Sequence, residues 1–118
     1  MDASYRIHTK LGPGLLESAY QAILAYELEK QGLQIKTEVI LPITYDAIII
    51  DTGYRADIIV ENLIIVELQS VEKIQDVHLK QVLTYLKVSG LHLGLLINIG
   101  APLIRDGIKR IVNKLPEM

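Results

Sequence analysis

Residues Gly53 to Gln69 read G-Y-R-A-D-I-I-V-E-N-L-I-I-V-E-L-Q, and the fold turns on where this stretch puts its two acids. The apolar runs Ile58-Ile59-Val60 and Leu63-Ile64-Ile65-Val66 each meet a carboxylate. Asp57 opens the first, and Glu67 ends the second with Gln69 two residues on. Strands built of Ile and Val are usually buried on both faces. A carboxylate there loses several kcal/mol of hydration unless it is paired, protonated or bound to metal. Two such groups on neighbouring strands repel, and a divalent cation relieves the repulsion. The alternative is that both acids sit at strand ends in water. The turn between the runs decides whether they share a face. A two-residue turn at Glu61-Asn62 pairs Asp57 with Val66 and sends Glu67 to the opposite side. A three-residue turn, Glu61-Asn62-Leu63, pairs Asp57 with Glu67. A common site therefore requires an odd-numbered loop or a bulge.

Downstream, the period becomes helical from about Asp76 to Val88, with Gly90 as the stop. Lys73, Lys80 and Lys87 fall seven apart and form a solvated stripe. On roughly the opposite side lie His78, Gln81 and Tyr85, flanked by Ile74 and Val82. Polar groups on an inward face need partners, and ordinary core hydrogen bonding would satisfy them as well as a functional role. His92 to Ile99 is an apolar run of strand length. A helix between it and Glu67 makes a crossover that lets the two strands run parallel. Asp106-Gly107, between two apolar-alternating runs, predicts a closing C-terminal β-hairpin over Leu103 to Val112.

Upstream, a helix is expected from about Pro13 to Gln31, with Gly32 just past its end. Leu16, Tyr20, Ile23, Leu24 and Leu28 share its broad apolar face, and Glu17 projects into that face. Ile35 to Ile43 reads as a strand that Pro42 marks as an edge or an interruption. Tyr45-Asp46 turns the chain into Ala47–Ile50, and Asp51-Thr52-Gly53 reads as a second turn. Consecutive strands without intervening helices are antiparallel.

The chain has 118 residues, 50% hydrophobic and 22% charged, which predicts one folded domain over residues 1–118. Its apolar runs are too short to span a bilayer, and its first residues lack the apolar stretch of a signal peptide. The absence of Cys excludes disulfides, a thiolate nucleophile and a zinc knuckle, and is compatible with the cytoplasm. The formal charge of −2 gives no general basic field, so attraction to nucleic acid must be local or metal-mediated.

In this order the chain resembles the PD-(D/E)XK nuclease superfamily, and more narrowly the GxxExxY family of small nucleases. Gly14-Leu15-Leu16-Glu17-Ser18-Ala19-Tyr20 fits the pattern that names that family. Gly53-Tyr54-Arg55-Ala56-Asp57 and Asp106-Gly107-Ile108-Lys109-Arg110-Ile111 are similar to its recurring segments. Gln81-Val82-Leu83-Thr84-Tyr85 matches the Q-x-x-x-Y helix of RecB-like nucleases. The resemblance implies an α/β fold with a restriction-endonuclease-like α-β-β-β-α-β core, its mixed central sheet flanked by helices. It implies Mg²⁺ (or Mn²⁺) held by Asp57, Glu67 and the Leu68 carbonyl, with Glu17 completing or orienting the site. It implies that Arg55, His78, Gln81 and Tyr85 position nucleic acid, DNA before RNA, with Gln81 and Tyr85 alternatively positioning the metal ligands, and it allows a homodimer. One departure stands at the catalytic motif. The family pattern ends E-x-K, and this chain reads Glu67-Leu68-Gln69. Gln donates a hydrogen bond but carries no charge. The resemblance therefore leaves two functions open: a metal-dependent nuclease, or a nuclease fold that binds nucleic acid or a protein partner without cutting.

Overall fold

A computed structural model describes residues 2–12 and 14–113. Its elements run α1 (Asp2–Leu11), α2 (Glu17–Lys30), β1 (Ile35–Tyr45), β2 (Ile48–Val60), β3 (Ile64–Gln69), α3 (Asp76–Ser89), β4 (Leu93–Asn98) and β5 (Ile108–Val112), with a 3-10 turn over Ile104–Gly107. The α-β-β-β-α-β order expected of the core is present from α2 to β4. One mixed sheet has the strand order β1-β2-β3-β4-β5. β1, β2 and β3 are antiparallel in sequence, β3 and β4 are parallel across the α3 crossover, and β5 closes antiparallel on β4.

Each face of the sheet has its own apolar layer. Ile58, Val60, Val66, Leu68 and Ile97 pack with Ala3 and Ile7 of α1 and with Tyr20 and Leu24 of α2. On the other face Leu41, Ala56, Ile59 and Ile65 pack under Tyr85 and Leu86 of α3. Strands covered on both sides explain the nearly continuous Ile and Val of β2 and β3. Gly94 is required by the α3 contact, because a Cβ there would lie 2.8 Å from Val82 Cγ1.

Several expectations are corrected. The N-terminal segment is two helices, not one. α1 was not anticipated, although Ala3, Ile7 and Leu11 recur every four residues and the first two are buried. Gly12 breaks the run with φ 74°, and Pro13, expected as the first helical residue, lies outside the described residues. Leu16 is 74% exposed and Glu17 is exposed in the first turn of α2, so neither lies on the core face. Asp51-Thr52-Gly53 is not a turn: β2 runs through it, and the register with β1 shifts between Leu41 and Ile43. The missing N–H of Pro42 falls at that shift, on a sheet edge, where a lost ladder bond costs least. The expected hairpin at Asp106-Gly107 is absent. The dipeptide closes the 3-10 turn, and the C-terminal strand β5 pairs with β4 instead.

Candidate metal and nucleic-acid site

The turn between β2 and β3 has three residues. Val60 pairs with Ile64, Ile59 with Ile65 and Ile58 with Val66. Glu61 and Asn62 take positive φ values of 55° and 54°, which lets the chain reverse in that length. Continuing the register one step sets Asp57 opposite Glu67, and here side chains take over from the ladder. The Asp57 N–H donates to Glu67 Oε1 at 3.0 Å, and the Leu68 N–H donates to Asp57 Oδ2 at 2.9 Å. Each acid thus accepts a backbone bond from the other's strand, which fixes the two carboxyl groups on one face.

The β1 side contributes a kink. Glu38, opposite Asp57 in the register, takes φ 53° and is missing from the ladder between Thr37↔Ile58 and Val39↔Ala56. The alternation of β2 slips at the same point: Ile59 and Ala56, three apart, belong to the same apolar layer. This slip beside Asp57 is not visible in the sequence.

Glu67 is 6% exposed. Burial, then the charge of Asp57, push its carboxyl up from 4.5 to about 9, against the opposing effect of the Asp57 N–H bond. Two hard oxygen donors in a poorly hydrated place, of which one is held protonated for want of positive charge, form a donor set that suits a small divalent cation. Among the described residues no cluster of three His, Cys, Asp or Glu side chains forms, so Glu17 does not join the pair. It lines an open cavity of about 560 Å³ with Gly14, Leu15, Leu16, Ser18 and Ser70, the residue after Gln69. Glu17 is therefore an exposed acid near the same end of β3, not a buried one.

α3 brings two of its predicted residues together. Gln81 Nε2 donates to the Tyr85 hydroxyl at 2.9 Å, and Tyr85 packs edge-on against Tyr54 with ring centroids 5.4 Å apart. Burial raises the Tyr85 phenol above its ordinary value; the Gln81 bond opposes this, and the charges of Glu67 and Asp57 add to it. Tyr85 thus lies within the field of the acid pair, with Gln81 bonded to it. His78 serves otherwise: its Nδ1 accepts the Gln75 N–H at 2.8 Å in a capping box at the start of α3. Arg55 is exposed and ion-paired with Glu38 at 3.6 Å.

Sequence reasoning missed Asn98. It is 3% exposed at the end of β4, beside Gln69 in the parallel register. Its Oδ1 accepts the N–H groups of Val71 and Gly100, and its Nδ2 donates to the Val71 carbonyl at 2.8 Å. This clamp fixes the segment leaving β3 directly after Gln69. The one available signal was a polar residue closing an otherwise apolar run.

Compared with known families, residues 1–111 match the model of the PD-(D/E)XK nuclease superfamily. No curated protein and no solved structure matches the chain.

Proposed function

Because the chain belongs to the PD-(D/E)XK nuclease superfamily, we propose that it is a metal-dependent phosphodiesterase acting on nucleic acid, DNA before RNA. The observation that carries this reading is the reciprocal Asp57–Glu67 arrangement, two acids locked on one face by backbone N–H groups of each other's strand, those of Asp57 and Leu68. Asp57, Glu67 and the Leu68 carbonyl would hold Mg²⁺ or Mn²⁺. When bound, such a cation supplies Lewis acidity at the phosphodiester and lowers the pKa of a water. Gln81 and Tyr85 offer a fixed hydrogen-bonding pair at the edge of the acids, suited to orienting a phosphate oxygen. The narrower GxxExxY assignment belongs to the same reading. Of its motif, Tyr20 is fully buried, while Gly14 and Glu17 line the cavity next to Ser70.

Gln69 supports a second reading, a binder that does not cut. Glu67 and Gln69 are two apart on β3 and face the same way. The position thus offers a hydrogen bond where the family pattern supplies a positive charge. Losing one such electrostatic donor slows a reaction by roughly 10²–10³.

Single-turnover cleavage of plasmid and single-stranded substrates with Mn²⁺ separates the two readings. Weak cleavage is expected in the wild type, none in Asp57→Ala, and a gain of roughly 10²–10³ in Gln69→Lys. A Gln69→Lys variant that folds and binds Mn²⁺ yet leaves every substrate intact would transfer the assignment to the binding module.

A further inference from the structure

The formal charge is −2, yet the basic side chains are unevenly placed. α1 and residues 103–113 hold Arg6, Lys10, Arg105, Lys109 and Arg110, five of the twelve Lys and Arg, against Asp2 and Asp106. The two segments meet. Ile7 and Ile104 share an apolar layer, and His8 Nε2 donates to the Pro102 carbonyl at 3.1 Å. Between them lies a cleft of about 310 Å³ lined by Tyr5, His8, Thr9, Leu103, Ile104 and Arg105. Glu27 engages Arg6 at 3.2 Å. Among the described residues Lys10, Lys109 and Arg110 have no ion-pair partner, and Arg105 has only Asp106, at 3.9 Å with both side chains exposed. Arg110 pairs with Leu95, a residue of the α1 layer, so it points to the same side of the sheet as the cleft. Tyr5 adds a ring. Three tyrosines are largely exposed: Tyr5 at 43%, Tyr26 at 61% and Tyr45 at 67%. Lys30 lies over the Tyr26 ring at 5.2 Å, and Tyr45 stands in a stretch, Val39 to Tyr54, that has no Lys or Arg. Tyr5 alone of the three combines exposure with cations left available.

We propose that the cleft between α1 and the 3-10 turn binds single-stranded nucleic acid, seating one unpaired base against Tyr5 with its phosphate on Arg105. This rests on the nucleic-acid reading above and adds its substrate class. Three observations select that occupant. The charge is complementary: a chain with no general basic field gathers its available cations beside this cleft, where a phosphate backbone needs them. The walls suit a base, since Leu103, Ile104 and the Tyr5 ring offer apolar and aromatic surface, and stacking on an exposed ring is tolerant of base identity. The volume, at the small end of ligand pockets, admits one splayed base and not a stacked pair. Position argues the same way. Asn98 lies beside Gln69 in the β3–β4 register, and four residues, at most about 14 Å of chain, separate it from Pro102. The cleft is therefore at the same end of the sheet as the acid pair, on the α1 side, whereas Glu67 faces α3 because its neighbours Val66 and Leu68 belong to the α1 layer. Joining the two places means bending over the end of the sheet, which a flexible single strand does and a stiff duplex resists.

Fluorescence anisotropy of a labelled single-stranded DNA oligonucleotide, and of the same sequence as a duplex, tests this with the full chain in chelator, which prevents cleavage. The single strand is expected to bind more tightly than the duplex. Tyr5→Ala should weaken it about ten-fold, and Tyr5→Phe, which keeps the ring, should bind as the wild type does. Arg105→Ala should weaken binding and lower the slope of log affinity against log salt by about 0.7, the value of one phosphate contact on a single strand. Tyr45→Ala, far from the cations, keeps the wild-type affinity. Wild-type affinity in both Tyr5→Ala and Arg105→Ala overturns the proposal and leaves the nuclease reading standing. A duplex bound as tightly as the single strand, with Tyr5→Ala indifferent, overturns it in favour of backbone contact alone. Displacement of the strand by adenosine monophosphate at an affinity matching the oligonucleotide's also overturns it, and assigns the cleft to a free nucleotide. A wild type that binds neither DNA removes this proposal and the nucleic-acid reading together.

Discussion

β2 contains two isoleucine runs with opposite fates. Ile58-Ile59-Val60 is buried to 8% exposure or less, whereas Ile48, Ile49 and Ile50 are 42–71% exposed. Composition is nearly the same, and strand and sheet are the same. What differs is cover: the first run lies between α1 and α2 on one side and α3 on the other, and the second lies beyond all three. Polarity is inverted at both ends. The covered end encloses a carboxylate pair and Asn98, and the bare end displays apolar side chains. An Ile-rich strand is thus a statement about β structure and says little about burial until the neighbours are placed. Where the inversion occurs, the folded chain leaves an unmet demand, for positive charge at Asp57 and Glu67 and for apolar cover at Ile48.

The largest test of that contrast is stability. Ile58→Ala removes three methyl or methylene groups from a closed layer and is expected to cost about 2–5 kcal/mol. Ile49→Ala, 71% exposed, should stay within about 0.5 kcal/mol. Urea midpoints at one protein concentration read both. Comparable losses would mean that this end of β2 is covered in the folded chain.

The same contrast explains what the sequence could disclose. The three-residue turn was legible because period-2 alternation converts a one-residue difference into a choice of face, and only one choice unites Asp57 with Glu67. The α3 crossover and the parallel β3–β4 pair were legible from the order of periods. Glu17 was misplaced because helix projection assigns a face without saying where the helix begins, and α2 begins at Glu17 itself. Asp51-Thr52-Gly53 carried turn chemistry that a register shift in a long hairpin uses equally well. Asp106-Gly107 looked like a hairpin turn, but β5 pairs with β4 across the longer connection that contains the 3-10 turn, and a turn dipeptide does not report which upstream strand is the partner. Asn98 was silent because its role depends on the segment after β3 arriving beside it.

An intermediate effect is expected at Asn98. Asn98→Ala strands the N–H groups of Val71 and Gly100, for about 2–3 kcal/mol once water repairs part of the loss. Asn98→Asp retains both acceptor contacts; ionised, it lacks the donor to the Val71 carbonyl, and protonated, its O–H replaces that donor, so it should lose less than Asn98→Ala at a pH where the new acid is protonated. Hydrogen exchange at Val71 and Gly100 is the sharper readout. If both amides stay protected in Asn98→Ala, the clamp is not what holds the segment after Gln69.

The smallest effect concerns Glu67, and its sign matters more than its size. Its folded carboxyl titrates near 9 against an ordinary 4.5. Between those values the folded chain holds a proton that the unfolded chain has released. By linkage, stability of the metal-free protein then falls as pH rises through that window and levels off above it. Glu67→Gln keeps an oxygen for the Asp57 N–H and offers an amide hydrogen to the Asp57 carboxylate without adding charge. It should therefore raise metal-free stability by about 1–2 kcal/mol near neutral pH and flatten the decline. Millimolar Mg²⁺ or Mn²⁺ should stabilise the wild type increasingly as pH rises, because cation and proton compete for the same oxygens, and should leave Glu67→Gln nearly unmoved. Thermal unfolding from about pH 5 to about pH 9, with chelator or with metal, yields all four slopes. A wild type that gains stability toward alkaline pH in chelator would remove the buried-acid account. The covered end of β2 would then be as well satisfied by its own chain as any ordinary strand.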